Sequence, residues 1–209
     1  MNRTGEVVLS ILVPSIPSRE SKLLVLKKEL QRQCNIVYMR QEMLGNIEIL
    51  VDKGAAFLDG GLSIGKKRQA LVKNCIGEYL CFLDDDESIA PNYVESLLRL
   101  CNTGNDIGTF RALVKLKESW GLVNMSLNNK ENEQFNPDHT VQRPPWHMCP
   151  VKSKYAKLYE FDDINNAEDF RWFEKVLSHC KTEEHTDRII FQYNHGDHSE
   201  ADRIENLKT

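Results

Sequence analysis

The chain has no CxxC pair, no internal repeat, no low-complexity tract, no basic excess, and no apolar run near the roughly 18 residues that crossing a bilayer needs. Each absence removes a class. Six cysteines (Cys34, Cys75, Cys81, Cys101, Cys149 and Cys180) lie scattered, several inside apolar stretches, so they read as buried reduced thiols rather than a disulfide frame or a zinc site. A formal net charge of −4 argues against a nucleic-acid partner, which requires a basic face. Met1 to Ser10 has no long apolar region and no cleavage signal. With no membrane span either, the expectation is a cytoplasmic chain or a catalytic piece of a larger multidomain one. No glycine-rich phosphate loop follows the first apolar run, where Pro14-Ser15-Ile16-Pro17 stands instead.

What remains is an ordinary globular composition, 41% hydrophobic and 28% charged over 209 residues, long enough to bury a sizeable core. The most informative stretch is Glu78 to Glu87, an apolar run that drives into four consecutive acids. Leu80 to Leu83 read as a strand buried on both faces. Gly77 precedes the stretch and Pro91 starts a following helix. Alternation along an extended backbone would aim Asp84 and Asp86 one way and Asp85 the other. Two hard oxygens at a strand's carboxyl end suit Mn²⁺ or Mg²⁺ holding substrate phosphates; the plain alternative is a solvated acidic turn.

The rest of the first hundred residues supports the richer reading. Val7 to Val13 is a buried strand ending at Pro14, and Ser18 is a candidate cap for a helix from about Arg19 to Cys34. Leu23, Leu24, Leu26 and Leu30 form its apolar face. Ile47 to Val51 is a second strand ending on Asp52, and Ser63 caps a helix to about Cys75 carrying Lys66, Lys67 and Arg68. Strand and helix alternate, which makes a parallel sheet whose ligands bind at the carboxyl ends of the strands. Pro14, Asp52 and Asp84–Asp86 all fall at those ends.

The second half reads differently. A hairpin is expected around Ser119-Trp120-Gly121, then a polar mobile loop over 128–140 and a possible strand at Arg143–Val151. A short helix over Lys152–Leu158, an amphipathic helix over Phe170–Leu177 behind Glu168-Asp169, and a strand over Arg188–Asn194 complete it. His195 and His198 follow that strand.

The order of these features resembles the GT-A fold and, more narrowly, the family 2 inverting glycosyltransferases. The most specific segment is Lys66 to Glu87, KKRQALVKNCIGEYLCFLDDDE. The resemblance spans about residues 7–180 and is strongest to 100. In size and pattern the chain is also similar to the N-terminal transferase domain of chlorovirus-encoded multidomain glycosyltransferases, which would make it a viral protein in host cytoplasm. The resemblance implies an α/β fold, with a Rossmann-like nucleotide-binding half (1–101) on a mostly parallel central sheet. A smaller mixed acceptor-binding half (102–209) would complete one catalytic domain.

It also implies roles. Pro14 and Arg19 would line the base and phosphate side, and Asp52 would accept a hydrogen bond from uracil. Arg68 or Lys67 would approach the diphosphate. Asp84 would reach the ribose or a metal-bound water, Asp86 would ligate Mn²⁺ or Mg²⁺, and Asp85 would support the donor site. His195, or His198, would complete the metal shell, and Asp169 would be the catalytic base. The implied reaction moves a hexose from a nucleotide-diphosphate sugar, UDP favoured, to a hydroxyl of a glycan or glycoprotein, with inversion. One departure stands out: Asp52 is followed by Lys53 where the family often has paired acids. Each position also has a structural alternative, Asp52 as a strand end, Arg68 as a surface charge, Glu168-Asp169 as first-turn acids. Competing readings of the whole are a sugar-phosphate nucleotidylyltransferase and a non-catalytic divalent-ion or carbohydrate-binding module.

Overall fold

A computed structural model describes residues 5–40, 45–54, 60–116 and 119–195. In chain order the elements are β1 (Val7–Pro14), α1 (Glu20–Met39), β2 (Asn46–Asp52), α2 (Ile64–Asn74), β3 (Tyr79–Phe82), β4 (Ser88–Ile89) and α3 (Tyr93–Cys101). Then come β5 (Ile107–Leu116), β6 (Ser119–Met125), β7 (Val141–Arg143), β8 (Val151–Lys152), α4 (Ser153–Ala156), α5 (Glu168–Leu177) and β9 (Glu183–His195). The sheet runs β2-β1-β3-β8-β5-β6-β7, with β9 on β5 and β4 on β9.

The first hundred residues have the expected parallel arrangement. β1 lies between β2 and β3, parallel to both, and its residues 8–14 are buried because helices cover both faces. The register sets Pro14 opposite Asp52 and Leu12 opposite Phe82, so the chain leaves all three strands at one edge. Beyond β3 the sheet is mixed: β8 is antiparallel to β3, and β5 pairs antiparallel with β6 and parallel with β9.

Several boundaries differ from the sequence reading for identifiable reasons. Helix α1 runs on to Met39, because its buried stripe continues from Leu30 through Gln33 to Val37. Gln33 is tolerated there since its amide donates to Ala90 O and accepts from Val94 N. Leu24 is not on that stripe and is 67% exposed. Ser18 caps nothing; a 3₁₀ turn at Pro17–Arg19 precedes α1 instead. Ser63 does cap α2, accepting from Lys66 N at 3.2 Å. Ser119, Trp120 and Gly121 lie inside β6, Ser119 pairing with Leu116, rather than in the hairpin's turn. Strand β9 starts at Glu183, its charged first residues concealing it in the sequence. The 144–150 stretch is not a strand, since Pro144, Pro145 and Pro150 withhold ladder donors and only its ends pair, as β7 and β8.

Two glycines permit close approaches, Gly65 to the later 162–164 segment and Gly77 to β1. A Cβ on Gly65, in the first turn of α2, would sit 2.0 Å from Asp162 O, and Gly65 N donates to Ile164 O. A Cβ on Gly77 would meet Ser10 N and Oγ at 2.6 Å. All six cysteines are free and five are buried. Burial pushes the Cys81 and Cys180 thiols up to about 12, so neither is poised as a nucleophile.

Candidate donor and transfer site

The acid triplet does not continue β3. The strand ends at Phe82, and Asp84–Glu87 form a turn closed by Glu87 N donating to Asp84 O at 3.2 Å. Two-residue β4 then pairs with Phe191 and Gln192 of β9 and anchors the far side of the turn. Strand alternation therefore does not apply, and the expected split of Asp84 and Asp86 against Asp85 is replaced by another. Arg19 Nη1 lies 3.0 Å from Asp85 Oδ1 and 3.1 Å from Asp86 Oδ2, so those two share one cation. Asp84 turns to Arg68, whose Nη2 reaches its carboxylate at 3.0 Å.

Asp85 is 2% exposed and also accepts from Ser15 Oγ at 2.5 Å, which ties the acid turn to the loop after β1. Burial pushes its carboxyl up, with Ser15 and Arg19 pulling against that. Its contacts brace the acid turn from within. Lys67 has turned inward too. At 1% exposure its ammonium donates to Ser15 O at 2.8 Å and to Gly54 O, bracing the loops after β1 and β2 rather than facing solvent. Asp52 accepts from Gly54 N at 2.7 Å through Oδ1, and its backbone oxygen accepts from Ser15 N. Pro14 is buried beside it at the end of β1.

Arg68 is the centre of the arrangement. Helix α2 carries it under the acid turn, its guanidinium over the Phe82 ring at 4.8 Å. Nε donates to Glu168 Oε1 at 3.0 Å, Nη2 meets Asp84, and buried Nη1 has no hydrogen-bond partner among the described residues. Burial disfavours the charge, yet Asp84, Glu168 and Asp169 outweigh it and keep Arg68 firmly protonated. Burial and the neighbouring Asp169 push the Glu168 carboxyl up, partly offset by Arg68.

Glu168 and Asp169 open α5 behind Ala167, which holds a left-handed φ of 59°. That conformation strains a residue with a Cβ and turns the chain sharply into the helix. Asp169 is 28% exposed on its side chain and accepts from Phe170 N and from His147 Nδ1 at 3.0 Å. Burial opposes its ionisation, but His147, Arg68 and the Phe170 amide together hold it well below the usual carboxylate range. His147 Nε2 in turn lies 3.9 Å from Asp84 Oδ2. His147 is thus the residue that sequence reasoning undervalued. It matches no ligand spacing, and its signal was its place beside Trp146 in a proline-rich stretch expected to pack near the acceptor cleft.

A cavity of about 500 Å³ opens beside Asp169 and His147, walled by β5, β6, β9, α5 and the 130–148 segment. Tyr193 lies on its edge; burial, then the charges of Glu87, Asp84, Asp169 and Asp86, push its phenol above the ordinary range.

Metal fit rests on the chemistry of the donor set. Asp84 and Asp86 carry hard oxygens of the kind that hold Mg²⁺ or Mn²⁺ together with substrate phosphates and waters, but each is paired with an arginine, Arg68 and Arg19, that a metal would have to displace or share. Among the described residues no three His, Cys, Asp or Glu side chains form a ready cage. His195 ends β9, but its side chain and all of His198 lie outside the described residues.

No known family profile matches the chain, and no curated protein matches it. Solved structures do. TarS 1–349 of S. aureus matches at a TM-score of 0.59 with 14% identity, over 90% of this chain and 60% of that one. Its complex with UDP-GlcNAc matches at 0.58 with 13% identity, over 92% and 60%. Its complex with UDP matches at 0.59 with 16% identity, over 95% and 63%. The fold is GT-A-like. The chain spans about 60% of the length of these structures. They support the fold and give no support to a chlorovirus origin. Among the described residues no helix is long and apolar enough to cross a membrane.

Proposed function

We propose that the chain is a glycosyltransferase that takes a hexose from a UDP-sugar and delivers it, with inversion, to a hydroxyl of a glycan or glycoprotein acceptor. The observation that carries this reading is the contact chain Asp84–Arg68–Glu168 and Asp84–His147–Asp169. It joins the acid turn to an acidic pair more than eighty residues later, at the strand ends where such sheets bind nucleotides. Likeness to TarS, solved with UDP-GlcNAc and with UDP, supports a nucleotide-sugar donor.

The residues divide the chemistry. Asp52 and the Pro14–Arg19 loop receive the nucleoside, with Lys67 and Asp85 bracing those loops from beneath. Arg68 supplies a fixed positive charge beneath the acid turn, which favours the diphosphate as negative charge develops on it. A divalent ion held by Asp84 and Asp86, with His195 as the expected third ligand, would add Lewis-acid stabilisation of the same leaving group. Asp169 takes the acceptor hydroxyl's proton. Both its oxygens already accept one hydrogen bond, and each keeps a lone pair for the acceptor. A low-lying carboxylate is a weak base, but it is ionised whenever the acceptor arrives, and the oxocarbenium-like transition state asks for proton removal only late.

A screen of UDP-sugars with Mn²⁺, reading donor hydrolysis and transfer for the wild type, Asp86→Ala and Asp169→Asn, tests this. Asp169→Asn should lower transfer by about 10²- to 10⁴-fold while UDP still binds. Asp86→Ala should lower hydrolysis and transfer together. Equal hydrolysis by wild type and Asp86→Ala would remove the metal role, and full transfer by Asp169→Asn would remove the base. If calorimetry found no UDP binding with Mn²⁺, a non-catalytic module would be the better description.

A further inference from the structure

We propose that the cavity beside Asp169 is an acceptor subsite for a planar apolar aglycone, so that the attacking hydroxyl arrives on a molecule carrying a ring system rather than on a bare sugar. This rests on the transferase reading above. The cavity lies on the acceptor side of Asp169 and His147, and neither the acid triplet nor Arg68 nor Asp52 contributes to its wall. A ligand there has its reactive end at Asp169 and its remainder among Phe135, Trp146, Phe170, Phe173 and Tyr193.

The lining is mostly apolar. Its polar members besides His147 and Asp169 are Lys130, Asn132, Arg143 and Glu174. A pocket for an unsubstituted sugar needs polar groups spread around it to meet hydroxyls on every side, and an unmet hydroxyl there costs affinity. An apolar ring needs only area. The walls also have a suitable geometry. Trp146 and Tyr193 stand edge to face at 6.3 Å and 70°, and Arg143 covers Trp146 at 5.0 Å, so the indole is fixed in orientation. A flat ring meets one such wall by face and the other by edge. Phe170, immediately after Asp169, is 52% exposed in a helix whose Trp172, Phe173 and Val176 are buried.

The remaining wall is built rather than incidental. Phe135 packs so closely on β6 that a Cβ at Gly121 would meet its ring at 2.4 Å. Glu133 accepts from Gln142 N at 2.7 Å and, through its backbone oxygen, from Arg143 Nε at 3.0 Å, fastening the segment to β7. The 128–140 stretch thus presents Phe135 to the cavity from a segment hydrogen-bonded to β7.

Calorimetric titration of the full chain, saturated with UDP and Mn²⁺, tests this with matched methyl, phenyl and octyl β-glycosides of glucose, galactose and N-acetylglucosamine. For at least one sugar the phenyl glycoside should bind at least about tenfold tighter than the methyl, and tighter than the octyl. Phe135→Ala and Trp146→Ala should each bring the phenyl affinity down toward the methyl value, with UDP titration of the same variants reporting that they are folded. The proposal is overturned if no phenyl glycoside binds, if phenyl and methyl bind alike, if octyl binds best, or if the preference survives both substitutions. Absence of UDP binding would instead overturn the transferase reading, and the same glycoside titrations without UDP would still decide the nature of the cavity.

Discussion

Arg68 is a cation 5% exposed on its side chain, and two carboxylates, Asp84 and Glu168, make that burial tolerable. Removing one partner of such an arrangement is costly, because the charge left behind remains out of water. Glu168→Ala should therefore destabilise the protein by about 3 kcal/mol, measured by urea denaturation. Glu168→Gln keeps an oxygen for Arg68 Nε and should cost less than half of that. A stability loss under about 1 kcal/mol for Glu168→Ala would mean that Asp84 alone holds the guanidinium. The same residue shows how far local sequence goes. A basic helix before an acid run advertises a charge near a phosphate, but Lys67 and Arg68 are adjacent and look equivalent. Only the packing of α2 sends Lys67 inward to Ser15 O and Gly54 O, and Arg68 toward Asp84.

The elements that shape the site are its shortest ones. The acid turn is held at one end by β3, whose ladder to β1 is followed by Leu83 N donating to Leu12 O, and at the other by two-residue β4 against β9. A two-residue strand has no readable period, which is why alternation was the natural but wrong expectation for Asp84–Asp86. The contact of α2 with the lead into α5 is equally local. Gly65 lets Asp162 O approach, Ser63 Oγ donates to Asp163 at 2.6 Å, and Asn165 accepts from Ile64 N. Gly65→Ala would push the two segments apart and should cost about 2 kcal/mol by denaturant titration. Because the displaced segment leads directly to Glu168 and Asp169, transfer should fall along with stability. An alanine variant as stable and active as wild type would show that the 162–165 segment yields freely.

At the scale of the whole molecule, polar ties as well as core hold together segments of the second half that are distant in sequence. Asp106, at the entry to β5, accepts from Lys152 Nζ at 3.2 Å, Tyr155 Oη at 3.1 Å, and the Lys181 and Thr182 amides at 2.9 and 3.2 Å. Burial opposes its charge, but these donors prevail and bring its carboxyl down from 3.8 to about 2. A depressed folded value stabilises the fold above the unfolded value and is lost as pH falls through about 2. Asp106→Asn should thus cost about 2 kcal/mol at neutral pH, the gap to wild type closing between about pH 4 and pH 2. Urea midpoints across that range would check it; a gap independent of pH would assign the loss to geometry rather than charge.

By itself the sequence determined that the first strands are parallel and that Pro14, Asp52 and the acids emerge at one edge; the order β2-β1-β3 came from the fold. Apolar runs, β-branched residues and strand-helix alternation are local signals, and hydrophobic burial enforces them wherever the chain folds. The resemblance that the sequence carries also pointed to Arg19, Arg68, Asp84, Asp86 and Asp169, the residues to which the proposed function assigns chemistry. The tertiary structure alone decided how those side chains are partnered: Arg19 between Asp85 and Asp86, Arg68 between Asp84 and Glu168, His147 between Asp169 and Asp84. Each of these joins residues far apart in the chain, and hydrogen bonds have a reach of about 3 Å that no spacing in sequence encodes. The apolar cavity beside Asp169 belongs to the same class, since its walls come from five separate segments that only the folded sheet brings together.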